Sequence, residues 1–224
     1  MAIILAIDTT TKNCSVALFE DEDLLQLKEH NSGEYSHAEQ LTLFIEEIVR
    51  ESDITYNEIN AIALSKGPGS YTGLRIGTST AKGLCYSLDI PLIAIPTLKA
   101  MALGMSKVQK FDFFCPMIDA KRMEVFAAIY DKNNKEVREV RADIVDKGTY
   151  AEYFNKSILF FGDGAIKCKE IINNTNAKFI EDIYPSAKDL GALSYQKFVN
   201  KDIEDVAYFE PYYLKDFVAG KKKS

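Results

Sequence analysis

The sequence predicts an α/β protein in two similar halves, each a mixed sheet that opens with a three-stranded antiparallel meander and carries flanking helices. Three observations predict it. Apolar, strand-length runs at 3–7 and 111–118 each end in an aspartate, Asp8 and Asp119, followed by a polar turn and a returning apolar strand. Segments with helical spacing alternate with strand-length runs through the first hundred residues. Between one such strand and helix lies GPGSYTGLRIG at 67–77, a strand–turn–helix signature.

Residues 3–7 are nearly all apolar and read as a central strand buried on both faces. A polar turn at 8–13 leads to a strand over 14–19, an acidic turn at 20–23 and a third strand over 24–28. Ser36 and Glu39 form a capping-box pattern. Behind it Leu41, Phe44, Ile45, Ile48 and Val49 recur at helical spacing, so the first helix runs to about Asp53. Residues 60–65 form a strand, the glycine turn follows, and Ser70 caps the second helix. Residues 91–95 form another strand, and Thr97 caps a third helix that reaches about Ser106.

The apolar pattern breaks at 107–110, which divides the chain into halves 1–106 and 107–224, with the last helix able to pack back on the first half. In the second half, 111–118 is a strand whose far end Pro116 demotes to an edge or bulge. A turn at 120–122, a strand over 124–130, a turn at 131–134 and a strand over 137–144 repeat the meander. A short helix over 149–154 precedes a strand over 157–161 that breaks at Gly162-Asp163-Gly164. A helix over 165–173, a strand over 178–180 and a helix over 186–199 complete the half.

The net charge of −6 over 224 residues argues against a dedicated nucleic-acid binder, and the lysines at 221–223 read as a solvated tail. Four widely spaced cysteines form no CxxC pair, so they read as reduced thiols rather than a zinc or redox motif. No apolar window reaches the roughly 18 residues that a membrane span needs. The apolar start is too short for a signal peptide, and the chain is expected to be cytoplasmic.

Within the glycine stretch, Gly67 and Gly69 can take positive φ, and Gly73 and Gly77 share one helix face. Glycine inside a helix costs roughly 1 kcal/mol relative to alanine, so a close neighbour or an anion at the helix start must offset it. No Walker lysine follows and the spacing is not GxGxxG, which favours close packing, either within the chain or between chains. Asp8 and the threonines at 9–11 lie just past a strand end, where α/β folds place ligands; a turn capped by Asp8 explains them equally. Gly162 and Gly164 allow either a nucleotide's approach or a plain turn. Only two histidines occur, His30 and His37, and no G-x-S-x-G elbow is present.

Four stretches together, ILAIDTTTKNCSVAL at 4–18, KGPGSYTGLRIG at 66–77, IDAKRMEV at 118–125 and EPYYLK at 210–215, resemble the bacterial TsaB (YeaZ) family. The resemblance implies two actin-like domains. It implies a non-catalytic subunit of the complex that forms N6-threonylcarbamoyladenosine at position 37 of ANN-decoding tRNAs. Such a subunit binds and supports the catalytic paralogue TsaD, has the ATPase TsaE as a further partner and reaches tRNA through the complex; separately, a spare helix-pair surface allows a homodimer when the chain is alone. TsaD holds a metal through an H-x-x-x-H pair; here His37 is followed four residues later by Leu41, so the chain resembles TsaB and no metal is expected. No cofactor of its own is expected, with ATP or ADP at the complex interface.

The resemblance also implies that the first two helices dock on TsaD. On the first helix this carries His37, Gln40, Leu41, Phe44 and Ile48 to the interface. From the turn and second helix it carries Gly67, Gly69, Tyr71, Thr72 and Gly73, then Arg75, Ile76, Gly77 and Thr80. A vestigial nucleotide site would use Asp8, Thr9, Thr10, Asp119, Gly162 and Gly164. The alternative reading is an independent actin-like ATPase or kinase working from Asp8, Asp119 and the Gly162/Gly164 loop.

Overall fold

A computed structural model describes residues 1–31 and 37–215. The first sheet holds β1 (Ile3–Asp8), β2 (Cys14–Glu20), β3 (Asp23–His30), β4 (Ala61–Ser65) and β5 (Leu92–Ile95) in the order β3-β2-β1-β4-β5. The second holds β6 (Phe113–Asp119), β7 (Glu124–Asp131), β8 (Glu136–Ile144), β9 (Ile158–Phe161) and β10 (Ala177–Ile180) in the order β10-β9-β6-β7-β8. In each sheet the meander is antiparallel and the remaining two strands run parallel to its first strand. This doubled topology matches the two similar α/β halves that the sequence predicts and fits the two-domain arrangement that the resemblance implied.

Helices α1 (His37–Glu51) and α2 (Tyr71–Leu88) cover one face of the first sheet. Leu41, Ile45, Ile48, Ala81 and Cys85 pack there on Leu5, Ile7, Val16 and Leu64. The capping serine proposed for α1, Ser36, lies outside the described residues. The other two helices cross over between the halves. The apolar side of α3 (Thr97–Val108) sends Leu98, Met101, Ala102 and Met105 against Phe114, Ile118, Phe126 and Phe161 of the second sheet. Ala187, Leu190, Leu193 and Phe198, in and before α4 (Gly191–Val199), pack on Ile4, Ala6, Phe19 and Ile93 of the first. Each helix thus buries its stripe on the sheet contributed by the other half of the sequence.

A C-terminal strap, residues 203–215, returns over the first sheet and α2. Glu204 N donates to Leu92 O at 2.9 Å, and Tyr212 N to Lys66 O at 2.7 Å. Lys82 Nζ donates to the carbonyls of Ala207 and Phe209 at 3.0 and 3.2 Å. The strap ends on the second sheet's side, where Leu214 joins the α3 core and Lys215 pairs with Glu124.

Four local expectations are corrected. Pro116 lies in the central strand of its sheet, between β7 and β9. The ladder to β7 skips Cys115 and Pro116 without shifting register, which accommodates the missing N–H. Thr97 is the first residue of α3 rather than its cap; its hydroxyl instead meets Ser65 Oγ at 2.9 Å and accepts from Gly67 N at 3.1 Å. Residues 165–173 make only a 3₁₀ turn at Ile166–Cys168. β-branched Ile166, Ile171 and Ile172, with the polar run after them, sustain no longer helix. The last helix is split into a 3₁₀ turn at Ala187–Asp189 and α4, where Gly191 lets the chain press against the Phe19 ring.

All four cysteines are free and buried, and burial raises each thiol's pKa, to about 12 for Cys14 and Cys85. No described helix is long and apolar enough to cross a membrane.

Two carboxylates, Asp143 buried and Asp189 half-buried, carry testable consequences. Asp143 receives Arg138 bidentately at 2.6 and 2.9 Å and Tyr150 Oη at 2.9 Å. Removing it leaves Arg138 buried and uncompensated, so Asp143→Ala is expected to cost about 3–5 kcal/mol in urea unfolding. Asp189 rests against the Cα of Gly104 on α3, and burial pushes its carboxyl up to about 7. Folded, it holds its proton more tightly than the unfolded chain does. Its ionisation therefore costs stability progressively from about pH 4 to pH 7. Asp189→Asn is expected to raise Tm at pH 8, by about 2–4 °C for each kcal/mol relieved, and to change it little at pH 4.

Candidate functional site

The β1–β2 turn, Asp8 to Asn13, sits directly on the start of α2. Ser70 caps the helix, its hydroxyl accepting from Gly73 N at 3.3 Å. Ser70 N donates to Thr10 O at 2.6 Å, and Thr9 Oγ1 donates to Gly73 O at 2.7 Å. A methyl group at Gly69 would overlap the Thr10 carbonyl, one at Gly73 the Thr9 carbonyl, and one at Gly77 the Thr9 hydroxyl. The bare helix face is filled from within the chain. The expectation that Gly73 and Gly77 dock a partner is therefore corrected: both are buried under Thr9. Gly67 does take positive φ, +112°, beneath the Tyr212 carbonyl. Gly69 does not; it is required by space.

Asp8 belongs to the same buried turn. Its Oδ1 accepts from Thr10 N at 2.9 Å and Thr10 Oγ1 at 2.7 Å. Burial raises its pKa, and the bonds from Thr10 and Ser65 act against that rise. Asp8 and Thr9 stand behind the cleft between the two halves rather than on its wall. That cleft, about 600 Å³, is lined from the first half by Thr10, Thr11, His37, Ser70 and Tyr71, and from the second by Asp119, Lys121, Phe126 and Asp163. Asp119 is engaged by the Lys167 ammonium, which also donates to the carbonyls of Arg122 and Glu124 at 2.8 and 2.7 Å. Gly162 and Gly164 press on the backbone of β6 and do not open toward a ligand. The residue between them, Asp163, reaches the wall instead. Its Oδ1 accepts from Asp119 N at 3.0 Å, and burial raises its carboxyl to about 6.

Of the helix residues carried to an interface, Leu41 and Ile48 are core residues, 1% and 0% exposed, and His37 is 2% exposed. His37 Nε2 lies 2.6 Å from Thr11 O, and burial lowers its pKa. These three are corrected as well: helical spacing points Leu41 and Ile48 into the sheet, and His37 is buried against the β1–β2 turn at the edge of the cleft. Thr72 and Arg75 are exposed; Gln40, Phe44, Tyr71, Ile76 and Thr80 are half-buried. The outward side of the pair also carries Leu43 and Tyr86, 50% and 87% exposed, which the motif-based reading missed. Their signal in the sequence was weak: each is an apolar residue off the buried stripe. Among the described residues no group of three His, Cys, Asp or Glu side chains gathers as a metal site would require.

Residues 32–223 match the family model described as "TsaD: tRNA N6-adenosine threonylcarbamoyltransferase". A relative from Buchnera aphidicola subsp. Schizaphis graminum, "tRNA threonylcarbamoyladenosine biosynthesis protein TsaB", is 32% identical over 84% of this chain and 90% of its own length. The chain belongs to the TsaB (YeaZ) family. The protein of the same description from Escherichia coli (strain K12) is 28% identical over 98% of this chain and 97% of that one. The solved structure "YeaZ from Pseudomonas aeruginosa" shares the fold with a TM-score of 0.84 at 24% identity, covering 96% of this chain and 100% of that one.

The contrast between buried and exposed glycines on α2 is testable. Gly73→Ala should be destabilising by about 2 kcal/mol, since overpacking against Thr9 outweighs the gain in helix propensity. Gly83, with nothing within 4 Å of an added methyl, should stabilise by about 1 kcal/mol when changed to alanine. Urea unfolding of the two variants checks the pair.

Proposed function

We propose that the chain is a non-catalytic subunit of the assembly that forms N6-threonylcarbamoyladenosine in tRNA, and that it docks on a TsaD-like catalytic subunit. Family membership carries this reading: relatives covering most of the chain are named for that biosynthesis, and the matching family model is that of the transferase. The outward side of α1 and α2 supports the docking surface. Phe44, Ile76 and Leu84 are only partly covered there, and Leu43 and Tyr86 stand free of the core. Apolar groups left at such a surface favour association. The same surface would serve self-pairing when the partner is absent.

The reading places no reaction in the chain's own cleft. Asp8 is engaged by its own turn and Asp119 by Lys167, so a magnesium-bound nucleotide would have to displace both arrangements. Nucleotide, a TsaE-like ATPase and tRNA are then met through the complex, in the cytoplasm. Reconstitution tests this. Threonylcarbamoylation of tRNA by the TsaD-like subunit should rise at least tenfold when this chain is added. Leu43→Glu with Tyr86→Ala should weaken complex formation at least tenfold in isothermal titration while the far-ultraviolet spectrum is kept. Product formation that ignores the chain, or robust ATP turnover by the chain alone that Asp8→Ala abolishes, would overturn the reading.

A further inference from the structure

α2 carries two charged side chains, Arg75 and Lys82. Lys82 is engaged with the strap carbonyls of Ala207 and Phe209. Arg75 is exposed and makes no ion pair among the described residues. It is nevertheless held in place. Its guanidinium carbon lies 5.6 Å over the Tyr71 ring, and Tyr71 packs on Tyr213 with centroids 4.8 Å apart and planes tilted by 35°. Tyr213 is itself fixed by the strap on both sides: Tyr212 N donates to Lys66 O, and Lys215 pairs with Glu124 on the second sheet. The stack therefore runs from the backbone of the C-terminal strap, through two rings, to a cation on the outer face of α2.

We propose that Tyr213 and Tyr71 form a mount that presents Arg75 to a carboxylate of the docking subunit, which makes the C-terminal strap part of that surface. The inference rests on the docking reading above and names the chemistry by which the partner is recognised. A guanidinium offers a planar fork that matches a carboxylate with two parallel hydrogen bonds. Stacking removes rotamer freedom before docking, so less is lost when the pair forms. Tyrosine and arginine are the residues in which interface energy concentrates. A protein carboxylate suits the surroundings better than a nucleic-acid phosphate. Arg75 is flanked on α2 by uncharged Thr72, Ile76 and Ser79, so the helix offers one guanidinium fork there rather than the run of cations that a polyanion favours.

Isothermal titration of the full chain with the TsaD-like subunit of the same organism tests this, with the melting temperature of each isolated variant as a control. Arg75→Ala should weaken binding about tenfold or more. Arg75→Lys should weaken it nearly as much, because an ammonium keeps the charge but neither stacks as a plane nor forms the fork. Tyr213→Ala should weaken it about three- to tenfold, and Tyr213→Phe should bind like wild type, since the ring is retained. Wild-type binding by Arg75→Ala and Tyr213→Ala, both folded, overturns the inference while leaving the docking reading intact. So does a loss confined to tRNA affinity of the assembled complex, which would assign Arg75 to a phosphate. Failure of the wild-type chain to bind the subunit overturns the docking reading and this inference with it.

Discussion

The contact between Thr9 and the bare face of α2 is the constraint on which the first half depends. A helix with glycine at positions 69, 73 and 77 around its start presents no side chain to the β1–β2 turn on that face. Its partner is correspondingly thin: the backbone and one hydroxyl of the β1–β2 turn. That approach places the helix axis close to the sheet, and it fixes the turn as firmly as the helix. Asp8 is held in the same arrangement by Thr10, so a buried carboxylate at a strand end finds its hydrogen-bond donors within its own turn. One close contact thus accounts for the glycines, the threonines and the aspartate together.

The two halves are bound by exchange. α3 gives its apolar side to the second sheet, and the lead-in to α4 gives its own to the first. The strap then crosses α2 and ends against Glu124. Leu43 and Tyr86 are left exposed on the outward side of α1 and α2, away from the core that the two helices cover. Rigid packing beneath that side would favour the docking proposed above, because a preorganised surface loses less freedom on association.

Much of the fold was legible because strand and helix periods differ. The runs at 3–7 and 111–118 each end in an aspartate, and the structure makes both of them central strands. Pro116 was misleading, since a missing N–H is tolerated wherever the neighbouring ladder has a gap, and gaps leave no local trace. The split before α4 was hidden for a similar reason: the Phe19 ring that a side chain at Gly191 would strike is more than 170 residues away in sequence. Site residues fared less well. Leu41 and Ile48 share the stripe that the period identifies, yet the period says only that the stripe is buried, not by what.

The glycine spacing already required a neighbour at close range, from chain entropy and the missing Cβ alone. Family membership was equally legible, since it resides in motif identity. Which surface would supply that neighbour was settled only by folding. Thr9 and Gly73 are 64 residues apart, and sequence separation carries no distance until β1 and β4 pair in parallel and set the turn beside the helix start. The Tyr213–Tyr71–Arg75 stack depends on the same kind of encounter, with a strap from the far end of the chain laid across α2.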